Sequence, residues 1–293
     1  MSIQKYKNLE YLEIKTKNDL YDAINFLEKR FKWSKVRSKQ AENELPIVNK
    51  HINIHGIMMK VKGDIVGAIL FFHQGYLAND NNKISIINLS GWYIHKNYRG
   101  LPSMAFLKFM LERFNKVIFT SYSANPIASK IYSAVGFKKM ELKRTSLLLS
   151  DCILNFSKIK IRPINKNLIK IENDIETKLY HGIGINFLEV EVNQHKIQLI
   201  VKKRHLKRSL LGMNFNWRTA TIIWLSNEKL IAKYWKEIAL KLLLHTKSMK
   251  LVCDFSSNFP HNAQVKENNY LYFCNNQSLD YIAPIQSEMN IFD

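Results

Sequence analysis

Asn125-Pro126-Ile127-Ala128-Ser129-Lys130-Ile131-Tyr132-Ser133-Ala134-Val135-Gly136-Phe137 is the stretch on which the reading of this 293-residue chain turns. It reads as a short helix over Asn125 to Val135 that Gly136 ends, with Tyr132 on its last turn. A second stretch lies upstream: Trp92-Tyr93-Ile94-His95-Lys96-Asn97-Tyr98-Arg99-Gly100-Leu101-Pro102-Ser103-Met104. It reads as the end of a strand, a glycine-bearing turn and the start of a helix, with Ser103 as the expected N-cap. A turn of this kind presents unpaired N–H groups and the positive end of a helix dipole, which suits a diphosphate.

Working outward, Leu9 to Thr16 alternates in strand fashion, and from Asp19 the apolar residues Leu20, Ala23, Ile24, Leu27 and Phe31 recur at helical spacing. The segment through Glu44 is polar and carries no clear period. Gly56 to Phe72 reads as a hairpin turning at Lys62-Gly63-Asp64, and Ile84 to Ile94 as a third strand. A helix then shows Met104, Phe106, Leu107, Met110, Leu111 and Phe114 to a core and Lys108, Glu112 and Arg113 to solvent. Lys116 to Ser121 is the next strand. Strands and helices therefore mix in one α/β (α+β) sheet over about the first 140 residues. Beyond residue 160 the pattern predicts a helix at Leu168 to Tyr180, a hairpin of Phe187–Val192 with Lys196–Lys202, and a strand at Ala220 to Leu225. A long helix from Asn227 to His245 and a strand at Leu251 to Phe255 follow. Hairpin, strand, helix, strand thus occurs in both halves, which predicts two units, 1–158 and 159–293, the second a degenerate repeat that shapes the acceptor site.

Taken together, Asn125, Ala128, Tyr132, Gly136 and Phe137, with Tyr98-Arg99-Gly100 upstream, resemble the GNAT superfamily of acyl-CoA-dependent N-acyltransferases over residues 8 to 145. The resemblance implies a splayed mixed sheet, a GNAT fold in tandem with a second GNAT-like half, and acetyl-CoA or another acyl-CoA as acyl donor with no metal. It implies that the pantetheine arm runs beside Trp92, Tyr93 and Ile94. The pyrophosphate would meet Arg99, Gly100, Leu101, Pro102, Ser103 and Met104, with Asn125 and Tyr132 also against the cofactor. In such enzymes an amine attacks the thioester directly and a tyrosine protonates the departing thiolate. Tyr132 takes that role, its phenol pKa of about 10 lying a little above that of a thiol. A tyrosine at this place also serves as core packing. His73 and His95 are the histidines nearest the expected cleft and the candidates for the base, although a histidine at a strand end is also an ordinary core or surface residue. Ser90 and Asn88 could instead hold the acceptor or a relay water. The departure from the family pattern is at Pro102 and Met104, which stand where glycine is preferred. Proline removes one N–H from the turn, and leaves open a donor carried on an acyl carrier protein. The tail Leu279 to Glu288 and the strand, helix and strand before it loosely resemble the C-terminal part of two-part GNAT proteins of bacterial surface-polysaccharide gene clusters. That likeness implies an amino-sugar acceptor, a small primary amine.

Composition sets the remaining bounds. With 46% hydrophobic residues the chain is not disordered. The formal charge is +20, concentrated at Lys29 to Lys39 and Lys202 to Arg208. Such a surface suits an acidic acyl carrier protein, nucleic acid or an anionic membrane surface. Only 9 of the 44 cationic residues are arginines, however, against the usual preference of nucleic-acid binders, and the lysine excess also fits a compositional bias. A carrier-protein-dependent N-acyl amino acid or acyl-homoserine lactone synthase, and a basic GNAT scaffold directed to nucleic acid or charged tRNA, therefore stay open as alternatives. The longest apolar run, Ile65 to Phe72, is too short to span a bilayer, and the N-terminus shows no secretory signal. Cys152, Cys253 and Cys274 are an odd set without metal spacing, which points to reduced thiols and the cytoplasm. His51 and His55 lack an adjacent glutamate and lie in an extended segment, and Gly182-Ile183-Gly184 lacks the third glycine of a dinucleotide fingerprint. Trp217, Trp224 and Trp235 are placed to stack on a sugar or to fill a core.

Overall fold

A computed structural model describes residues 8–79, 82–122, 124–151, 159–169, 175–176, 184–210, 213–255, 260 and 270–276. Strand β1 (Leu9–Glu13) leads into α1 (Lys17–Phe31). The α1 start is fixed by a reciprocal cap: Thr16 Oγ1 accepts from the Asp19 N–H, and Asp19 accepts from the Thr16 N–H at 3.0 Å. A second helix, α2 (Lys35–Val48), occupies the polar stretch that gives no period in the sequence. Only Ser38, Ala41, Leu45 and Val48 are buried on it and Pro46 interrupts its last turn, so its helicity comes from packing rather than pattern. The hairpin β2 (Gly56–Val61) and β3 (Asp64–Asn79) follows, then β4 (Asn82–Ile94), α3 (Leu101–Arg113), β5 (Ile118–Ser121), α4 (Pro126–Ala134) and β6 (Lys138–Leu148).

The second half contains β7 (Lys160–Pro163), β8 (Ile175–Glu176), β9 (Ile185–Val192), β10 (His195–Leu210), β11 (Met213–Leu225), α5 (Glu228–Lys233), α6 (Trp235–Thr246), β12 (Lys250–Phe255) and β13 (Tyr270–Cys274). Two expectations are corrected here. Within the predicted helix Leu168–Tyr180, a 3₁₀ turn covers Lys166–Leu168 and Ile175–Glu176 is a strand paired to Tyr76 and Leu77; residues 170–174 and 177–180 lie outside the described residues. Strand pairing to the free edge of β3 overrides the local period. The single long helix from Asn227 breaks at Tyr234 into α5 and α6, which lets Trp235 drop into the core at 2% exposure.

The described strands join one mixed sheet in the order β1-β2-β3-β4-β5-β13-β6-β12-β11-β10-β9-β7, with β8 added beside β3. The two halves share one run of elements. Each has a hairpin and a third antiparallel strand, then a helix that crosses to a parallel neighbour: β4 with β5, and β11 with β12. At the seam the last strands are exchanged. β6 of the first half pairs with β12, and β13 of the second half pairs with both β5 and β6. Helices α3 and α4 cover one face of the first half around Ile69, Phe71, Leu89, Phe106 and Phe119; α1 and α2 cover the other around Ile24, Leu27, Leu45, Leu70 and Phe72.

Candidate active site

The site begins as a divergence of two parallel strands. β4 pairs with β5 over Ile86–Asn88 against Ile118–Thr120, then runs on to Ile94 beside β3 alone. Its register against β3 jumps from Leu70↔Ser90 to Ala68↔Tyr93, so β4 holds one extra residue between Ser90 and Tyr93. A bulge bends its strand and re-aims the side chains beyond it. Gly91 makes it: its φ is 58°, and a Cβ there would meet Leu27 Cδ1 at 3.2 Å. Beyond the bulge Trp92 and Ile94 face the α3/α4 core, whereas Tyr93 faces α1, against Phe26 and Phe31. The result is a wedge that opens from Asn88 and Thr120 toward the end of β4.

At the rim of the wedge stands the start of α3. Its N-cap is Gly100 (φ 89°, ψ −125°), not the expected Ser103, which is buried in the first turn. Pro102 explains the shift, since its fixed φ and missing N–H suit the first helical turn and draw the start upstream. The N–H groups of Ser103 and Met104 bond back to the Gly100 carbonyl, at 3.0 and 3.2 Å. The N–H of Leu101, whose side chain is exposed, remains at the tip with that of Gly100, and no side chain caps the helix. Arg99 folds back: its Nε donates to the Ile94 carbonyl at 3.0 Å and its guanidinium lies 5.4 Å from the Tyr93 ring. Burial and the charges of Arg30, Lys96 and Arg99 lower the pKa of the neighbouring His95.

Tyr132 flanks the wedge from α4. Asn125 caps that helix, its Oδ1 accepting from the N–H groups of Ile127 and Ala128 at 3.0 and 2.9 Å. Tyr132 is 2% exposed, its ring 5.3 Å from Trp92, 4.9 Å from Phe137 and 5.4 Å from Phe273 of the exchanged strand β13. On the opposite face Asn88, paired with Thr120 where the wedge closes, is buried, as are Ser90, Gln74 and Tyr122. Gln74 Nε2 donates to Thr120 Oγ1 at 2.9 Å and more loosely to the Tyr122 hydroxyl at 3.4 Å. These five are uncharged amides and hydroxyls.

The structure thus gathers Trp92 and Tyr132 on one side of the wedge and Asn88 and Ser90 on the other. It does not bring His73 to Ser90. His73 pairs with Ile87 and Leu70 with Ser90, an odd separation without a bulge, so the two side chains point to opposite faces. His73 is buried, its N–H donating to Asn49 Oδ1 at 2.9 Å, and burial, then the charge of His51, lower its pKa to about 4. His55 is also buried, near Asn49. Trp224 and Trp235 are core residues, and Cys253 and Cys274 are buried free thiols. Cys152, Gly182, Ile183 and the tail Leu279–Glu288 lie outside the described residues, whereas Gly184 opens the turn into β9.

Gln74, Thr120 and Phe273 are the site residues that the sequence does not single out. Gln74 breaks the apolar run of β3, but only the register places it beside Thr120. Of the six cations in the stretch Lys29 to Lys39, three meet partners within the fold: Lys35 pairs with Glu28 at 2.6 Å, Arg37 lies over Trp33 at 4.8 Å and Arg30 over Phe26 at 5.5 Å. Lys202 is buried on β10, and the side chains at 205–210 lie outside the described residues. Among the described residues no helix is long and apolar enough to cross a membrane.

The fold that holds this wedge has known counterparts. A GCN5-related N-acetyltransferase from Anabaena variabilis superposes with a TM-score of 0.58 at 11% identity, over 90% of this chain and 72% of that one. A conserved protein of Enterococcus faecalis, described as a probable N-acyltransferase, gives 0.55 at 12% identity, over 91% and 72%. Saccharomyces cerevisiae N-myristoyltransferase with bound myristoyl-CoA and inhibitors gives 0.53 at 10% identity, over 92% and 79%. The sequence itself matches no protein-family model and no curated protein. The architecture is therefore the GNAT fold, a mixed α/β arrangement.

Proposed function

We propose that the protein is an acyl-CoA-dependent N-acyltransferase that moves acetyl or another acyl group onto the primary amine of a small acceptor. The observation that carries this reading is the wedge between β4 and β5, with Tyr132 beside it and the uncapped start of α3 at its rim. The edge of β4 beyond Asn88 suits a pantetheine arm, whose amides need backbone partners. The N–H groups of Gly100 and Leu101, at the positive end of α3, suit the pyrophosphate. Tyr132 then protonates the leaving thiolate. The acceptor amine approaches over the opposite face, where Gln74, Asn88, Ser90 and Thr120 offer neutral hydrogen-bonding groups. Such a floor suits a hydroxyl-rich acceptor, and an amino sugar of surface-polysaccharide synthesis is the acceptor we favour. The second half, read as a degenerate repeat over 159–293, frames that side. The donor chain length follows from titration: the yeast neighbour holds myristoyl-CoA, so long chains belong in the test beside acetyl.

A second reading has its own observation. Pro102 leaves the α3 tip with one N–H fewer, and the chain carries +20, which together favour phosphopantetheine on an acidic acyl carrier protein as donor. Calorimetric titration with acetyl-CoA, a longer acyl-CoA and an acylated carrier protein separates the two. Saturable acyl-CoA binding that Arg99→Glu abolishes is the expected result. Turnover with an amino sugar should fall about 10²-fold in kcat for Tyr132→Phe at unchanged KM. Absence of acyl-CoA binding would overturn the CoA reading.

A further inference from the structure

The Trp92 indole carries a hydrogen-bond donor that the fold leaves unused. Its Nε1 is buried and has no hydrogen-bond partner among the described residues. An indole nitrogen can only donate, and a buried donor left unbonded costs about 1–3 kcal/mol. Trp235 also has an unbonded Nε1, but it is sealed in the core of the second half at 2% exposure. Trp92 is half-buried and follows Gly91 at the bulge, where β4 has left β5. Its ring lies 5.3 Å from that of Tyr132.

We propose that the Trp92 Nε1–H donates a hydrogen bond to the acyl carbonyl oxygen of the donor thioester. This rests on the acyltransferase reading above. Oxygen and sulfur of a thioester share one carbon, so a donor for the oxygen and an acid for the sulfur must lie side by side, and the Trp92 and Tyr132 rings are neighbours at 5.3 Å. When the amine nitrogen bonds to the carbonyl carbon, the C=O electron pair moves onto the oxygen, and a fixed N–H there stabilises the charge. The pair then returns, the C–S bond breaks, and sulfur leaves with its electrons and takes the phenol proton of Tyr132. The excess proton on nitrogen passes to water and restores the phenol; Trp92 keeps its own proton throughout.

Two unreactive analogues test this: acetyl-dethia-CoA, a ketone that keeps the carbonyl, and S-ethyl-CoA, a thioether that lacks it. Trp92→Phe keeps an aromatic ring and removes only the donor. It should weaken the ketone about tenfold and leave the thioether within about twofold, and kcat/KM with acyl-CoA should fall about 10²-fold. In the unaltered protein, whose 5 tryptophans give separate indole signals, one N–H resonance should move downfield with the ketone and not with the thioether. Equal weakening of both analogues, or an indole signal that responds alike to both, would overturn the assignment. An unaltered protein that binds neither analogue overturns the acyl-CoA reading itself, and this assignment with it.

Discussion

The two halves of the molecule share the run of hairpin, third strand, helix and parallel strand, yet among the described residues their third strands part from the parallel neighbour to different extents. In the first half β4 runs six residues past its ladder with β5, from Leu89 to Ile94, and a bulge turns it away. In the second half β11 also holds an extra residue, at Ile223, where Ile200↔Trp224 gives way to Val201↔Ile222, but it runs past its ladder with β12 only over Ile223–Leu225. The helix starts differ in the same sense. α3 begins at Gly100 with no side-chain cap and no acid in its first turn, whereas Asn227 caps α5, accepting from the Leu230 N–H at 3.0 Å, and Glu228 brings a negative charge. The space beneath α5 and α6 is filled by Ile231, Trp235, Ile238 and Phe255. The halves thus differ in the length of strand that runs beyond the parallel ladder and in the cap and charge at the helix start, not in the presence of a bulge.

The exchanged strand β13 is the point at which the second half supports the first. Phe273→Ala should cost about 3–5 kcal/mol in chemical denaturation, as for other buried phenylalanines, and should lower acyl transfer by loosening Tyr132. If stability falls while turnover per folded molecule is unchanged, the exchanged strand does not position Tyr132. Burial of His73 makes the first half sensitive to acid. Its folded pKa of about 4 lies below its ordinary value of 6.5, so the folded state resists protonation. Stability should be level above about pH 6.5, decline as pH falls toward 4, and lose about 3 kcal/mol through this residue, a slope that His73→Asn removes. Placing an acid at the tip of α3, as α5 has, should disfavour the proposed pyrophosphate there: Leu101→Glu should weaken acyl-CoA about tenfold in calorimetry, through an exposed side chain and without loss of fold. The reciprocal change Glu228→Leu should leave that affinity unaltered, and a measurable shift would show that the second half also takes part in donor binding.

Much of the first half is legible because its elements carry local signals. The alternation of β1, the period of α1, the turn of the β2–β3 hairpin and the glycine stop after Tyr132 each mark an element without help from distant residues. α2 is not legible because its apolar positions are sparse and its start depends on Ser34 Oγ, 3.2 Å from the Arg37 N–H it accepts from. β6 and β13 lie outside the predicted pattern because strands at a seam are chosen by the partner they complete rather than by their own alternation. Of the site, Trp92, Gly100 and Tyr132 stand in the motif itself. Gln74 and Thr120 do not, since they meet only through the β3–β4–β5 register. The GNAT-like order of strands and helices, the glycine turn and the tyrosine helix are properties of contiguous residues and can be read along the chain. The exchange of last strands, the face on which His73 is buried and the Trp92 indole that finds no partner among the described residues arise on folding, because each depends on pairing between residues far apart in the chain.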